Sequence, residues 1–358
     1  MRVAIVVPAW FADEFQVIGG GDRYPHQLAR ALRAHCEVTF ITFGPAYSER
    51  VADGLEMVVL PASGRDKSNP IPQLGYFMRR RFDLIHVQQV RCAVTSLLAP
   101  LCKVFRIPLV ATDLGGGGPA LTMRLRIYTL VPRFLLISDF SRSLLPPSTW
   151  PRSTVIHGGV EPGLLRYSDA PRKRQALIVG RIMPHKGQNY LIDAIGDDIP
   201  LVIAGKVIDK AYHERLRRQA EGRPVTFLLQ PPDQRLREEY ATAAVTVSAS
   251  VYTDLDGRHW HNSELLGLTL LESMAVGTPV VCTAVGGMVE YVEDGVTGFV
   301  VPPNDPAALR DRILRLLDDP ELTARMGRAG RAFAERSSWQ KVAEQTFAAY
   351  REVARASR

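Results

Sequence analysis

The sequence predicts an α/β protein built as two doubly wound parallel-sheet (Rossmann-like) domains facing a central cleft. Three observations carry this expectation. The chain has 358 residues, more than one ordinary core serves, so two domains of roughly 150–200 residues are expected. Short apolar runs alternate with amphipathic stretches, the order that builds βαβ units and a parallel sheet. The plan then restarts after a polar, proline-bearing link, Tyr167-Ser168-Asp169-Ala170-Pro171-Arg172-Lys173-Arg174. The expected boundaries are 1–168 for the first domain, 169–338 for the second and 339–358 for a last helix that crosses back onto the first.

Each element follows from local pattern. Val3–Pro8 is an unbroken apolar run and reads as a buried strand. Tyr24–His35 is helical, with Leu28, Ala31 and Leu32 on one face. Val38–Thr42 and Met57–Leu60 are strands, and Leu74–Arg81 is a helix. Leu84–Gln88, Leu109–Thr112 and Arg133–Ile137 are further strands, and Ser138 caps the helix after them. In the second half the strands are Ala176–Val179, Leu201–Ala204, Val225–Leu229, Val245–Ser248 and Pro279–Thr283. The helices are Gln188–Ala194, Ala211–Glu221, Gln234–Ala243, Gly267–Val276, Pro306–Asp318, Glu321–Glu335 and Trp339–Val353. In such sheets ligands bind beyond the carboxyl ends of the strands.

Composition excludes several classes. The longest apolar candidate, Ser96–Ala111, is interrupted by Lys103 and Arg106, so no membrane span is expected. The first residues form a strand rather than a secretory signal. Cys36, Cys92, Cys102 and Cys282 form no C-x-x-C pair, which suits reduced thiols in a cytoplasmic protein. The formal charge of +7 is uneven: residues 1–170 hold 19 Lys/Arg against 13 Asp/Glu. Arg79-Arg80-Arg81 and the group Arg124, Arg126 and Arg133 contribute to this excess. A solvated face, an anionic acceptor or peripheral contact with an anionic membrane accounts for it. No basic helix interleaved with aromatics is present, so nucleic acid is not an expected partner.

Two motifs carry chemistry. In Asn262–Val281, Glu264 and Glu272 have seven residues between them, with Gly267 opening an apolar helix. A glycine at a helix entry lets a ligand approach the backbone, and the first amides (near Leu268 and Thr269) favour an anion. Two carboxylates on either side suit hydroxyls at both ends of a ligand with a phosphate in its middle, the shape of a nucleotide-diphosphate sugar. In Val179-Gly180-Arg181-Ile182-Met183-Pro184-His185-Lys186-Gly187, two cations flank a strand–helix junction. Arginine can hold a diphosphate bidentately and lysine acts as a point charge.

These motifs occur in order with Gly286-Gly287-Met288-Val289-Glu290 and Asp294-Gly295-Val296-Thr297-Gly298-Phe299. Together they resemble glycosyltransferase family 4, retaining enzymes of the GT-B fold. The resemblance covers the second half and, more weakly, the first. It implies transfer of a sugar from a UDP- or GDP-sugar donor to a hydroxyl of a glycan, lipid-linked or small-molecule acceptor. It also implies roles. Arg181 and Lys186 hold the donor diphosphate, Glu264 touches the sugar hydroxyls and Glu272 binds the ribose. Gly19-Gly20-Gly21 forms a loop that approaches the donor phosphate from the first domain. No cofactor beyond the donor and no metal is expected. His259 and His261 have the spacing of a metal pair, but no carboxylate ligand set accompanies them.

The first domain departs from the family pattern. Gln88 stands where a histidine is common, leaving His86 as either a catalytic-side residue or a hydrogen-bonded core residue. Asp113, in Thr112-Asp113-Leu114-Gly115, is a candidate to accept a hydrogen bond from the acceptor. Val251–Ser263 is longer than the usual link before the first glutamate. It is either an ordinary insertion or a loop that shapes the sugar or acceptor site through Trp260. A nucleotide-sugar epimerase and a non-catalytic nucleotide-sugar-binding protein are the alternative readings. A dehydrogenase is disfavoured because no strand–G-x-G-x-x-G–helix occurs.

Overall fold

The computed structural model describes residues 1–10, 20–63, 69–116, 121–161 and 172–356. They form two compact units. Unit one comprises Met1–Gly158 and Trp339–Arg358, and unit two comprises Gly159–Ser338. The link expected around 167–174 lies largely outside the described residues, and the division falls at Gly158/Gly159 instead.

Unit one holds strands β1 (Arg2–Trp10), β2 (Glu37–Gly44), β3 (Ser48–Ala52), β4 (Leu55–Ser63), β5 (Ile71–Pro72), β6 (Leu84–Val87), β7 (Leu109–Ala111), β8 (Arg133–Leu136) and β9 (Ser153–Val155). Their order is β3-β4-β2-β1-β6-β7-β8-β9, with β5 paired to β4. Only β3 and β5 run antiparallel. The central strands are buried and mostly apolar because both faces are covered. The β3–β4 hairpin turns at Asp53-Gly54, both with positive φ (52° and 70°), the type I′ geometry that suits a two-residue hairpin. The first helix runs Gly20–Leu32, so Gly20 and Gly21 begin it rather than forming a loop before it, and Gly19 lies outside the described residues. Pro25 is the sixth residue of this helix, past the amides that lack partners, so it costs the helix the bond to the Gly21 oxygen.

The helix Trp339–Ala356 packs on the helix Gly20–Leu32 within unit one. Its Trp339 ring meets Tyr24 edge-on at 5.3 Å, and Phe347 stacks on His35 at 5.5 Å.

Unit two holds β10 (Lys173–Val179), β11 (Leu201–Gly205), β12 (Val225–Leu229), β13 (Ala243–Ser248), β14 (Val280–Thr283) and β15 (Gly298–Val301), all parallel, in the order β12-β11-β10-β13-β14-β15. The order reverses direction between β10 and β13, and in unit one between β1 and β6. Those reversals open the crevices where doubly wound sheets take ligands.

Close helix contacts hold unit two's site helix in place. The helix Pro320–Arg336 lies against Leu268–Ala275, and a Cβ at Gly327 would collide with the backbone oxygen of Gly277. A backbone atom cannot yield as a flexible side chain can. Gly327→Ala should therefore cost about 1–3 kcal/mol and lower the unfolding midpoint of unit two by roughly 2–10 °C in calorimetry.

Candidate active site

Unit two assembles its polar groups at the β10/β13 reversal. Strand β10 ends at Val179, and Gly180 and Arg181 follow it. A single turn, Pro184–Lys186, then leads to Gly187 at φ +67°. Strand β13 ends at Ser248, and its continuation supplies Ser250 and, beyond a loop, Glu264. The Lys186 Nζ donates to Glu264 Oε1 at 2.6 Å, and Ser250 Oγ donates to the same oxygen at 3.3 Å. Both charged side chains are largely covered, 14% and 17% exposed. The backbone oxygen of Glu264 accepts from Gly287 N at 3.0 Å, so the Gly286–Glu290 turn fixes that residue from its other side.

Gly267 opens the helix Leu268–Ala275 at φ +96°, and no side chain caps it. Its first intrahelical bonds run from Leu270 and Leu271 to the Gly267 oxygen, so the Leu268 and Thr269 amides have no helical partner. A helix start of this kind favours an anion. About a turn and a half along, Glu272 Oε2 accepts from Tyr240 OH at 3.0 Å. Lys186, Glu264, Gly267 and Glu272 thus belong to one strand-end region, with Arg181 on the same β10 exit. Gln230, just past β12, takes φ +49°.

The Val251–Ser263 loop is built around Asp254, which is buried. Its carboxylate accepts from Asp256 N and Arg258 N at 3.0 Å and from Trp260 Nε1 at 2.8 Å. Burial pushes its pKa up, but these hydrogen bonds and the Arg258 charge outweigh burial and leave it lowered. The Trp260 ring lies 4.5 Å from His185, and the Arg258 guanidinium stands 4.0 Å over Trp260. Both loop ends bond the His185 oxygen, through Val251 N at 2.9 Å and Ser263 Oγ at 3.4 Å. His185 precedes Lys186, so the loop grips the residue next to the ammonium. Burial first, then the Lys186, Arg181 and Arg258 charges, push the His185 pKa down to about 2, which keeps it neutral. His259 and His261 meet edge-on at 4.4 Å. Among the described residues no group of three or more His, Cys, Asp or Glu side chains is placed to hold a metal.

In unit one, His86 takes the structural of its two expected roles. It is fully buried inside β6, and both ring nitrogens are engaged: Nδ1 with Tyr350 OH at 2.7 Å and Nε2 with Thr112 Oγ1 at 2.8 Å. The Gln88 amide lies 3.1 Å from Nδ1. Burial pushes the His86 pKa down to about 3. Asp113 sits just past β7, buried, and pairs with Arg91 Nη2 at 3.3 Å while accepting from Gly115 N at 3.2 Å. Around it, Gln88 Oε1, Gln89 Nε2 and Arg91 Nε are buried and have no hydrogen-bond partner among the described residues.

A sequence model of the family described as Glycosyltransferase Family 4 matches residues 18–164, and one described as Glycosyl transferases group 1 matches residues 167–333. The chain belongs to glycosyltransferase family 4. As a family-4 chain it is a glycosyltransferase. It is 28% identical over 389 residues to a phosphatidyl-myo-inositol mannosyltransferase of Mycobacterium leprae (strain TN), across 99% of this chain and 97% of that protein. A D-inositol 3-phosphate glycosyltransferase of Acidothermus cellulolyticus is 32% identical over 228 residues, 56% of this chain and 48% of its own length. The chain therefore spans about half the length of that relative. Among solved structures, sucrose-phosphate synthase from Thermosynechococcus elongatus matches with a TM-score of 0.79 at 23% identity over 99% of each chain. HepE from Anabaena, in complex with UDP-glucose, matches at 0.75 and 19% identity over 97% of this chain and 98% of its own. At such identities the likeness is one of fold, and that fold is GT-B.

Sequence reasoning missed three partners that come from afar, Tyr240 on Glu272, Tyr350 on His86 and Arg91 on Asp113, and one within a loop, the Asp254–Trp260 pair. Only the last had a local signal, a lone tryptophan in a loop rich in Asp, Gly and His. Two outcomes follow. Removing the Asp254 carboxylate should loosen the loop, so Asp254→Ala should raise the rate of tryptic cleavage after Arg258 by about tenfold or more in limited proteolysis. His86 stays neutral when folded but protonates when unfolded below its ordinary value of about 6.5. The unfolded state therefore binds more protons between that pH and about 3, and stability falls as pH falls through this window. The slope for one such histidine is about 1.4 kcal/mol per pH unit. Unfolding of unit one by urea at graded pH should show it, and His86→Gln should flatten it.

Proposed function

We propose that the chain transfers a sugar from a UDP- or GDP-sugar, with retained anomeric configuration and without a divalent ion, to a hydroxyl of a glycan, lipid-linked or small-molecule acceptor. The observation that carries the donor half is the cluster at the β10/β13 reversal. There Lys186 and Glu264 are held at 2.6 Å near a helix opened by Gly267, with Glu272 on that helix. Arg181 and Lys186 receive the diphosphate, aided by the Leu268 and Thr269 amides. Glu264 reads the sugar hydroxyls and Glu272 the ribose. As the glycosidic bond breaks, charge grows on the leaving diphosphate, and these cations and amides are already placed to stabilise it. They supply the charge that a metal would otherwise provide, so transfer should persist in a chelator.

For retention, the reading follows the family. The acceptor attacks the same face that the diphosphate leaves, through an oxocarbenium-like transition state, and the departing phosphate takes the acceptor proton. In support of a hydroxyl-bearing acceptor, unit one presents Gln88 Oε1, Gln89 Nε2 and Arg91 Nε beside Asp113, a mixture of acceptors and donors left unpaired among the described residues. Hydroxyls both donate and accept and suit such a mixture. The solved relative that carries UDP-glucose supports a uridine donor, and the relative named as a mannosyltransferase supports mannose as a candidate sugar.

Lys186→Ala and Glu272→Ala test the donor half. Titration calorimetry with UDP and GDP should show each weakening nucleotide binding by roughly tenfold or more, the scale of one lost charge-assisted contact. Unchanged affinity in both variants would remove the assignment.

A further inference from the structure

The Val251–Ser263 loop folds as a short hairpin. Trp260 N donates to the Tyr252 oxygen at 2.7 Å, Asp254 N donates to the Arg258 oxygen at 3.0 Å, and Thr253 faces His259 across an antiparallel bridge. Gly257, at φ +79°, closes the tip. The buried Asp254 carboxylate then ties the two arms together through Asp256 N, Arg258 N and Trp260 Nε1. A buried carboxylate is costly unless it is hydrogen-bonded, and a loop that only connects two elements has no need of one.

This hairpin is fastened to both halves of the Lys186–Glu264 pair. On the lysine side, Val251 N and Ser263 Oγ bond the His185 oxygen, and the Trp260 ring covers the His185 ring at 4.5 Å. On the glutamate side, Tyr252 OH accepts from Gly286 N at 2.8 Å. The next amide, Gly287 N, donates to the Glu264 oxygen at 3.0 Å. Away from the pair, Asn304 Nδ2 donates to the Thr253 oxygen at 3.0 Å, and Leu255 packs on the core of unit two. One braced piece of chain therefore joins the segment that carries the ammonium to the segment that carries the carboxylate.

Such a brace matters most to a lysine. Its charge sits at the end of a flexible four-carbon stem, and its attraction for an anion depends on distance. Fixing the backbone on either side of the pair lowers what the side chain must still lose on binding.

We propose that the Tyr252–Trp260 hairpin is a positioning element of the donor site. Asp254 and Trp260 act on Lys186 through His185, and Tyr252 acts on Glu264 through the Gly286 turn. The hairpin itself touches neither sugar nor acceptor. This role rests on the reading of Lys186 as a diphosphate ligand.

Titration calorimetry of the full chain with UDP and GDP tests it. Trp260→Ala should weaken the better-bound of the two by about three- to tenfold. In a Lys186→Ala background the same substitution should weaken binding no further, because it acts only through that lysine. General damage to unit two would lower affinity in both backgrounds. Where Trp260→Ala does not fold, Tyr252→Phe stands in: it removes only the link to Gly286, and its loss of about twofold or more should likewise vanish beside Lys186→Ala. Wild-type affinity in the folded variant would overturn the positioning role. So would a loss that persists in full beside Lys186→Ala, since the hairpin would then be a ligand contact or a purely structural support. If Lys186→Ala alone binds both diphosphates as the wild type does, the donor reading has failed, and that result is distinct from the other two.

Discussion

The candidate site of unit two depends on how closely its backbone segments meet. Gly187 sits at φ +67°, and a Cβ there would run into the carbonyl oxygen of Ala249. A Cβ at Gly205 would do the same to the oxygen of Gly180. These contacts press the exits of β10, β11 and β13 together at one place. Lys186, next to Gly187, is thereby set beside the β13 continuation, where Ser250 and Glu264 stand. Its ammonium reaches the Glu264 carboxylate because the backbones touch, and any side chain at either glycine would separate them.

The Lys186–Glu264 pair is a poor reason for the fold to be stable. Both groups are mostly covered, and removing two charges from water consumes much of what their attraction returns. The pair makes more sense as an arrangement that anticipates a ligand. In the function we propose, a phosphate oxygen replaces the carboxylate on the lysine, and a sugar hydroxyl replaces the ammonium on the glutamate. Each charge then keeps a partner throughout, and neither is left buried and alone. The loop around Asp254 serves the same end from behind. Its Trp260 covers the neutral His185, and its two ends bond the His185 oxygen, so the residue next to Lys186 has little freedom. A side chain held this way reaches its ligand with less conformational entropy left to lose.

How much of this was legible follows from where each signal lies along the chain. The parallel sheets were readable because strands buried on both faces are mostly apolar, throughout in Val3–Val7 and with only Thr246 and Ser248 as exceptions in Ala243–Ser248. Strand β3 escaped because it is an exposed edge strand whose residues are mostly polar, although Asp53-Gly54 marked its hairpin. The first helix starts earlier than its apolar stripe suggests, because Gly20 and Gly21 are helical despite having no side chain to bury. Arg181, Lys186, Glu264 and Glu272 were legible as candidates because strand, glycine and helix lie together in sequence. Tyr240 is 32 residues from Glu272 and Tyr350 is 264 from His86, and no local periodicity records such pairings.

His86 and Asp113 look alike in sequence and differ in where they stand relative to the ladder. Both belong to neighbouring strand ends, and both are buried. His86 still lies inside the ladder, paired in register with Val110, and its partners come from the next strand and the last helix. The ladder closes at Gln88, which donates to the Val6 oxygen, and at Thr112, which donates to that of Val87. Gln88, at that closing rung, and Gln89 and Arg91, just past it, hold the polar atoms left unpaired among the described residues, and Asp113 lies beside them. In unit two Arg181, Lys186 and Glu264 likewise come after the last paired residues of β10 and β13, Val179 and Ser248. Within the ladder, backbone pairing fixes every residue and the side chain must satisfy itself against the core. Once the ladder ends, the backbone turns away, and a polar side chain is free to be completed by a ligand.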